Sequence, residues 1–156
     1  DMAEVEELLD LTFGPGRNAL SSYRFREGVK PVPELCFVMR DEYNILVGVI
    51  RFWPILIGWP RVSGLLLGPL GVHPTRQGEG LGELLINSAL KKAKNLGWRR
   101  VLLVGDLAYY ERFGFVQHLT TNIYLGDKSS GDRLLGHELI ENSLWNLSGP
   151  VFRYFE

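Results

Sequence analysis

The stretch from Val62 to Val104 constrains this chain most. It reads as an apolar strand (Val62 to Val72), a glycine-rich turn, an amphipathic helix, and a short apolar strand (Val101 to Val104). Strand, helix, strand is a parallel crossover unit, whose expected hand is right. The helix is expected over Gly80 to Leu96, with Leu81, Leu84, Leu85, Ala89, Ala93 and Leu96 forming one apolar stripe. Ser88 and Lys92 fall at the edge of that stripe, where a lysine stem still reaches water. Lys91, Lys92 and Lys94 complement the dipole at the helix C-terminus, and Gly97 suits the position just past its end. A wholly apolar Val101–Val104 fits a strand covered on both faces.

The flanking segments supply the rest of a sheet. Leu35 to Arg40 and Ile45 to Ile57 are strand candidates around a turn at Asp41–Asn44. With Val62 to Val72, set off by Gly58-Trp59-Pro60, they predict an antiparallel meander. Upstream, Asp1 as N-cap with Glu4 at N3 opens a helix through Val5–Leu9 that ends near Phe13, because Gly14-Pro15-Gly16 cannot continue it. Since the numbering opens on a helix, an N-terminal strand is expected to lie outside it. Arg17 to Tyr23 is a candidate short helix, while Arg24–Gly28 and Pro31–Pro33 read as loop. Downstream, Asp106 to Arg112 is a short helix and Phe115–Val116 opens a strand. Ile123–Leu125, Leu134–Leu139 and Val151–Tyr154 are further strand candidates. The expected fold is α/β of the α+β kind: one domain over residues 1–156, with a mixed, mostly antiparallel sheet flanked by helices.

Composition narrows the function. With 156 residues, 46% hydrophobic and 22% charged, the chain has a globular balance. A formal net charge of −1 points away from nucleic acid or an anionic membrane, so any anion site is local. Cys36 is the lone cysteine, which excludes an internal disulfide and a thiolate metal cluster and fits a reducing cytoplasm. No run of about 18 apolar residues predicts a membrane span, and no signal-peptide pattern opens the chain. His118 and His137 lack metal-ligand spacing, so no metal is expected.

Gly78, Gly80 and Gly82 alternate where the long helix begins. Glycine lets the backbone approach a ligand closely, and free amides at a helix start point at anions. Arg76, just upstream, can add a charge-assisted contact to phosphate. A Walker loop would need Gly-Lys-Ser or Gly-Lys-Thr, where this chain has Gly82-Glu83-Leu84. A dinucleotide fingerprint gains from Asp106 at the end of the next strand, yet the spacing Gly78-x-Gly80-x-x-Glu83 lacks its third glycine.

Gln77-x-x-Gly80-x-Gly82, preceded by Val72-His73-Pro74, resembles the acetyl-CoA signature of the GNAT superfamily of N-acyltransferases. Ala108-Tyr109-Tyr110-Glu111-Arg112-Phe113-Gly114-Phe115 resembles that superfamily's second motif, with a tyrosine four residues before Gly-Phe. Leu65 to Val116 as a whole is similar to a bacterial branch of predicted acetyltransferases carrying Gly-Asp-x-Ala-Tyr-Tyr-x-Arg-Phe-Gly-Phe. The resemblance implies acetyl-CoA as cosubstrate and acetyl transfer to an amine, small-molecule or peptide. It implies cofactor contacts from Leu70, Gly71 and Val72 and from the loop Arg76, Gln77, Gly78, Glu79, Gly80, Leu81 and Gly82. Asp106, Tyr109 and Phe113 join them, although Asp106 also reads as the cap of the short helix.

Pro69 inside an apolar strand marks an edge or bulge, and in the superfamily this strand splays from its neighbour. An N–H near Leu70 or Gly71 would then polarise the thioester carbonyl. Tyr110 takes the place of the general acid, with Tyr109 the first alternative. The base stays open among Asp106, Glu79, Glu111, His73 and a water relay, with His73 also a loop-shaping residue. Arg24, Arg26, Glu141 and the Trp53–Trp59 region are acceptor-side candidates, and the C-terminal strands leave room for a homodimer. An acyl-CoA-binding domain without chemistry and a nucleotide-dependent oxidoreductase are the competing classes.

Overall fold

The computed structural model describes residues 2–13, 25–125 and 133–154. Helix α1 spans Met2–Phe13. Strands β1 (Phe37–Arg40), β2 (Leu46–Ile57) and β3 (Val62–Val72) form the expected antiparallel meander. Helix α2 (Leu81–Asn95) and strand β4 (Arg100–Val104) follow, with β3 and β4 parallel. Then come a single-turn helix α3 (Leu107–Tyr110) and strands β5 (Ile123–Tyr124), β6 (Leu134–Glu138) and β7 (Gly149–Arg153). The strands make one sheet in the order β5-β7-β2-β3-β4-β6, with β1 also paired to β2. Among the described residues only β3/β4 and β5/β7 are parallel pairs, so the sheet is mixed and mostly antiparallel.

Alternation along the central strands builds a core on each face. Leu65 and Leu67 of β3 and Val101 and Leu103 of β4 pack beneath α2 with Ile50, Phe52 and Phe115. Leu66 and Leu102 point the other way, joining Trp53, Ile55, Ile57, Phe25, Leu134 and Leu144. Helix α1 covers the rest of that second face through Val5, Leu8 and Leu9 against Leu46 and Val49. Each fully buried Leu, Ile or Phe contributes about 1.5–3 kcal/mol by leaving water.

Several boundaries differ from the sequence reading. Leu35 sits in a 3-10 turn, Pro33–Leu35, and the strand starts only at Phe37. Proline's fixed φ starts that turn, and the carbonyl of Phe52 then takes the Val32 N–H at 2.9 Å. Val116 makes an isolated bridge to Gly136 rather than opening a strand. Helix α2 is phased differently as well. Its buried residues are Gly82, Leu85, Ile86, Ala89, Leu90 and Ala93, while Leu84 and Leu96 face solvent. A 3.6-residue period accommodates both stripes, and the sheet selects the one with branched Ile86 and Leu90 against Phe52 and Leu103. The predicted cap Asp1, the short helix Arg17–Tyr23 and Arg24 lie outside the described residues.

Candidate active site

The sheet divides between β3 and β4. Their pairing is confined to Leu65↔Val101 and Leu66↔Leu102, so β3 runs on to Val72 without β4 beside it. The divergence coincides with an irregularity in β3. Leu67 pairs with Phe52 and Leu70 with Ile50, so Gly68 and Pro69 together oppose Arg51 alone. That is a bulge, as Pro69 predicts, and Trp53 braces it by donating its indole N–H to the Gly68 carbonyl at 2.8 Å.

Beyond the bulge the register determines which backbone groups face the split. Val72 is the partner of Gly48, and His73 N–H donates to the Val47 carbonyl at 2.8 Å. Val72/Gly48 is therefore a wide, non-hydrogen-bonded pair, and so is Leu70/Ile50 two residues earlier. The N–H and C=O groups of Leu70 and Val72 consequently point away from β2, toward the side that β4 has left. Gly71, between them, bonds back to β2. A Cβ there would stand 3.2 Å from Leu9 Cδ2 and 3.6 Å from Thr12 Oγ1, on the α1 face.

The chain then turns into α2. His73 caps a 3-10 turn, Pro74–Arg76, its Nδ1 accepting from Thr75 N–H at 3.2 Å. Gln77 folds back so that Nε2 donates to the Val72 carbonyl at 3.2 Å. Gly78 and Gly80 adopt φ of 89° and 79°, where a side chain would strain the backbone, and neither has an atom within 4 Å of a hypothetical Cβ. Gly80 is the N-cap of α2 and has no side chain to satisfy the first helical amides. Those amides open on a cleft of about 500 Å³ lined by Leu70, Val72, Arg76, Gln77, Gly78 and Gly80, followed by Leu81 and Gly82. Glu83, Tyr109, Arg112 and Thr12 complete its wall. With Thr12 on α1 and Tyr109 beside α2, residues from elements on opposite faces of the sheet meet at this opening.

The opposite bank comes from α3. Asp106 caps that helix by accepting from Ala108 N–H at 3.1 Å, which is the capping role its position suggests. Tyr109 faces the cleft, its hydroxyl 2.9 Å from where a Cβ on Gly82 would lie. Burial raises its pKa, aided by Glu83 and opposed by Arg112. Tyr110 packs edge-on against Tyr109 and Phe115, with ring centroids 4.9 and 6.0 Å away, and closely against Gly105 at the end of β4. Burial pushes its pKa up to about 12, with the neighbouring Tyr109 adding to the rise. Phe113 is half-buried against the core, 5.5 Å from the Tyr109 ring.

Most of the residues expected at this site therefore converge on one opening. Gly71, Asp106, Tyr110 and Phe113 are not among the residues that line it, and Glu79 is turned to Arg76, whose Nε donates to both its oxygens at 2.9 and 3.1 Å. Asp41, from the β1–β2 turn, sits 3.7 Å from the same guanidinium. Sequence reasoning missed Thr12, Glu83 and Arg112. Arg112 carried a signal, since it lies three residues after Tyr109 on one helical turn and stacks over that ring at 4.8 Å. Thr12 carried none, because only tertiary packing brings the end of α1 to Gly71.

The cleft's chemistry suits a long anionic ligand: free helix amides and two arginines at one end, and strand backbone that β4 does not pair along its length. Among the described residues no cluster of His, Cys, Asp and Glu could hold a metal ion, and no helix is long and apolar enough to cross a membrane.

Comparison with known proteins agrees with this geometry. A model of the Acetyltransferase (GNAT) family matches residues 2–115. The uncharacterized N-acetyltransferase YhbS of Escherichia coli K12 is 30% identical over 117 residues, spanning 75% of this chain and 70% of that protein. The crystal structure of E. coli YhbS in complex with CoA superimposes with a TM-score of 0.82 at 24% identity, covering 97% of this chain and 83% of that one. A GNAT family acetyltransferase from Brucella melitensis, solved with acetyl-CoA, gives 0.61 at 32% identity over 74% of this chain and 77% of the other. The split sheet, the glycine-capped α2 and the match across three quarters of the sequence establish that the chain belongs to the GNAT acetyltransferase family.

Proposed function

We propose that this protein transfers the acetyl group of acetyl-CoA to a primary amine by direct attack of the amine on the thioester. The observation that carries the reading is the pair of wide-register positions, Leu70 and Val72, whose backbone groups face a split running to the glycine cap of α2. The α2 amides and Arg76 hold the diphosphate, and the Leu70 backbone pairs with the pantetheine arm. The Val72 carbonyl already accepts from Gln77, so that residue contributes chiefly its N–H. Near the bulge, the Leu70 N–H polarises the thioester carbonyl.

The two tyrosines divide the work. The pantetheine arm separates the thioester from the diphosphate, so a hydroxyl beside Gly82 belongs to the diphosphate end, and Tyr109 takes that role. Tyr110, against Gly105 at the end of β4, is the donor to the departing sulfur. A pKa of about 12 keeps it protonated at neutral pH. A thiol ionises near about 8.5, so Tyr110 stabilises the leaving thiolate by hydrogen bonding rather than by complete proton transfer. For the proton on the attacking amine, His73 is tied to Thr75, Asp106 to the α3 amide and Glu79 to Arg76. That leaves Glu111, at the start of the 3-10 turn after α3, and a water relay, and release through water is the route we assign.

The test is thiol release from acetyl-CoA across a panel of amines, with Tyr109→Phe and Tyr110→Phe beside the parent. Tyr110→Phe lowers kcat with little change in coenzyme Kd, whereas Tyr109→Phe raises Kd. A Tyr110→Phe enzyme with parental kcat on the best amine removes Tyr110 from the chemistry.

A further inference from the structure

Two arginine–glutamate pairs stand at the rim of the cleft. Arg76 is bonded to Glu79, and Arg112 Nη1 donates to Glu83 Oε1 at 3.1 Å. Both arginines line the cleft. Glu79 lies one residue before the Gly80 cap and Glu83 in the first turn of α2. The helix end that most favours an anion is thus already attended by two carboxylates, each paired with a guanidinium, and with Asp41 also beside Arg76 the local balance is one negative charge.

A guanidinium offers the same fork of donors to a carboxylate and to a phosphate. The Arg112–Glu83 pair is also open to exchange, because both side chains are half-exposed and such contacts are weakly held. Arg112 is nonetheless aimed. Its guanidinium rests 4.8 Å over the Tyr109 ring, whose hydroxyl lies beside Gly82, so it stays at the mouth of α2 whichever acceptor it holds.

We propose that Arg112 is a second diphosphate-binding residue, exchanging Glu83 for a phosphate oxygen when coenzyme A enters, and that Glu83 opposes that entry. The assignment rests on the coenzyme reading above and adds to it a residue and a sign. The two members of one ion pair have opposite effects on the ligand. Removing Arg112 takes away a charge-assisted bond to the diphosphate. Removing the charge of Glu83 frees Arg112 and takes a negative charge from the diphosphate's surroundings.

Titration calorimetry of the full chain with CoA and with 3′-dephospho-CoA tests this, using the parent, Arg112→Gln and Glu83→Gln. Arg112→Gln weakens both ligands about tenfold and by the same factor, as expected for one lost charge-assisted hydrogen bond. Glu83→Gln tightens both several-fold, even though it removes an acidic residue that favours the start of α2. A merely structural ion pair would shift the two variants in the same direction, because each loses the same contact, and that result overturns the proposal. So does Arg112→Gln with unchanged affinity for both ligands. Weakening confined to CoA also overturns it, by moving the contact to the 3′-phosphate. A parent protein that binds neither ligand ends the coenzyme reading itself, an outcome distinct from a binding parent with indifferent variants.

Discussion

Helix α2 carries a matched pair of perturbations, one at each end. Gly80 caps its start with φ of 79°, Gly97 follows its end with φ of 96°, and neither has an atom within 4 Å of a hypothetical Cβ. Alanine at either position therefore meets no steric obstacle, only the backbone cost of the left-handed region, about 1–2 kcal/mol. The lower entropy of an unfolded chain with alanine in place of glycine returns about 0.4–1 kcal/mol. The net loss is about 1 kcal/mol for each variant, or about 2–4 °C in Tm for a chain of this length. Stability thus fails to distinguish the two, but ligand binding separates them. A methyl group on Gly80 stands beside the amides that line the cleft, whereas Gly97 lies just past the far end of the 15-residue helix. Thermal melts followed by CoA titration should give near-equal Tm values, with Kd raised about tenfold or more for Gly80→Ala alone, the worth of one charge-assisted hydrogen bond. Equal Kd values for the two variants would refute the reasoning, because the diphosphate would then not rest on the α2 amides.

Tyr110 gives a pH-dependent expectation. An unfolded tyrosine ionises near about 10, and burial holds this one protonated to about 12. The folded value is the higher, so the associated stability is intact below pH 10 and disappears as pH rises toward 12, by about 2–3 kcal/mol. Urea melts of the parent and Tyr110→Phe at pH 9 and 11.5 should show this component only in the parent, and parallel losses in both would contradict it. Arg100 is a buried cation held by carbonyls: Nε donates to Ser143 O at 2.7 Å and Nη1 to Ser63 O. Arg100→Met leaves those acceptors without their donor and should cost about 1–3 kcal/mol, whereas an unchanged urea midpoint would mean that water replaces the guanidinium. Gly64→Ala should destabilise more than Gly71→Ala. A Cβ on Gly64 lies 2.5 Å from the buried Ile57 Cδ1, while one on Gly71 first meets Leu9 Cδ2 at 3.2 Å. The reverse order in thermal melts would show that Ile57 yields more readily than its burial implies.

Much of the site was readable because its signals are local. Three glycines before an amphipathic run can specify a helix cap without knowledge of anything distant, and Pro69 by itself announces an interruption in β3. Asp106 followed by Leu-Ala-Tyr-Tyr is a helix cap wherever it lies in the fold. The stripe of α2 was less legible, because Leu84 and Leu96 fit the period as well as Ile86 and Leu90 do. Burial of that helix is decided by which side meets Phe52 and Leu103.

From its residues alone the chain specified the order of its central elements, the glycine start of α2, the bulge and the pair of adjacent tyrosines, since each depends on backbone preferences within a few residues. The tertiary fold alone decided that β3 leaves β4 after Leu66, that Leu70 and Val72 turn their backbone into the gap, and that Tyr109 rather than Tyr110 reaches its wall. It alone brought Thr12, Glu83 and Arg112 to the same opening. These are relations between segments far apart in sequence. Their positions follow from sheet register and from packing on two faces, which no local pattern encodes.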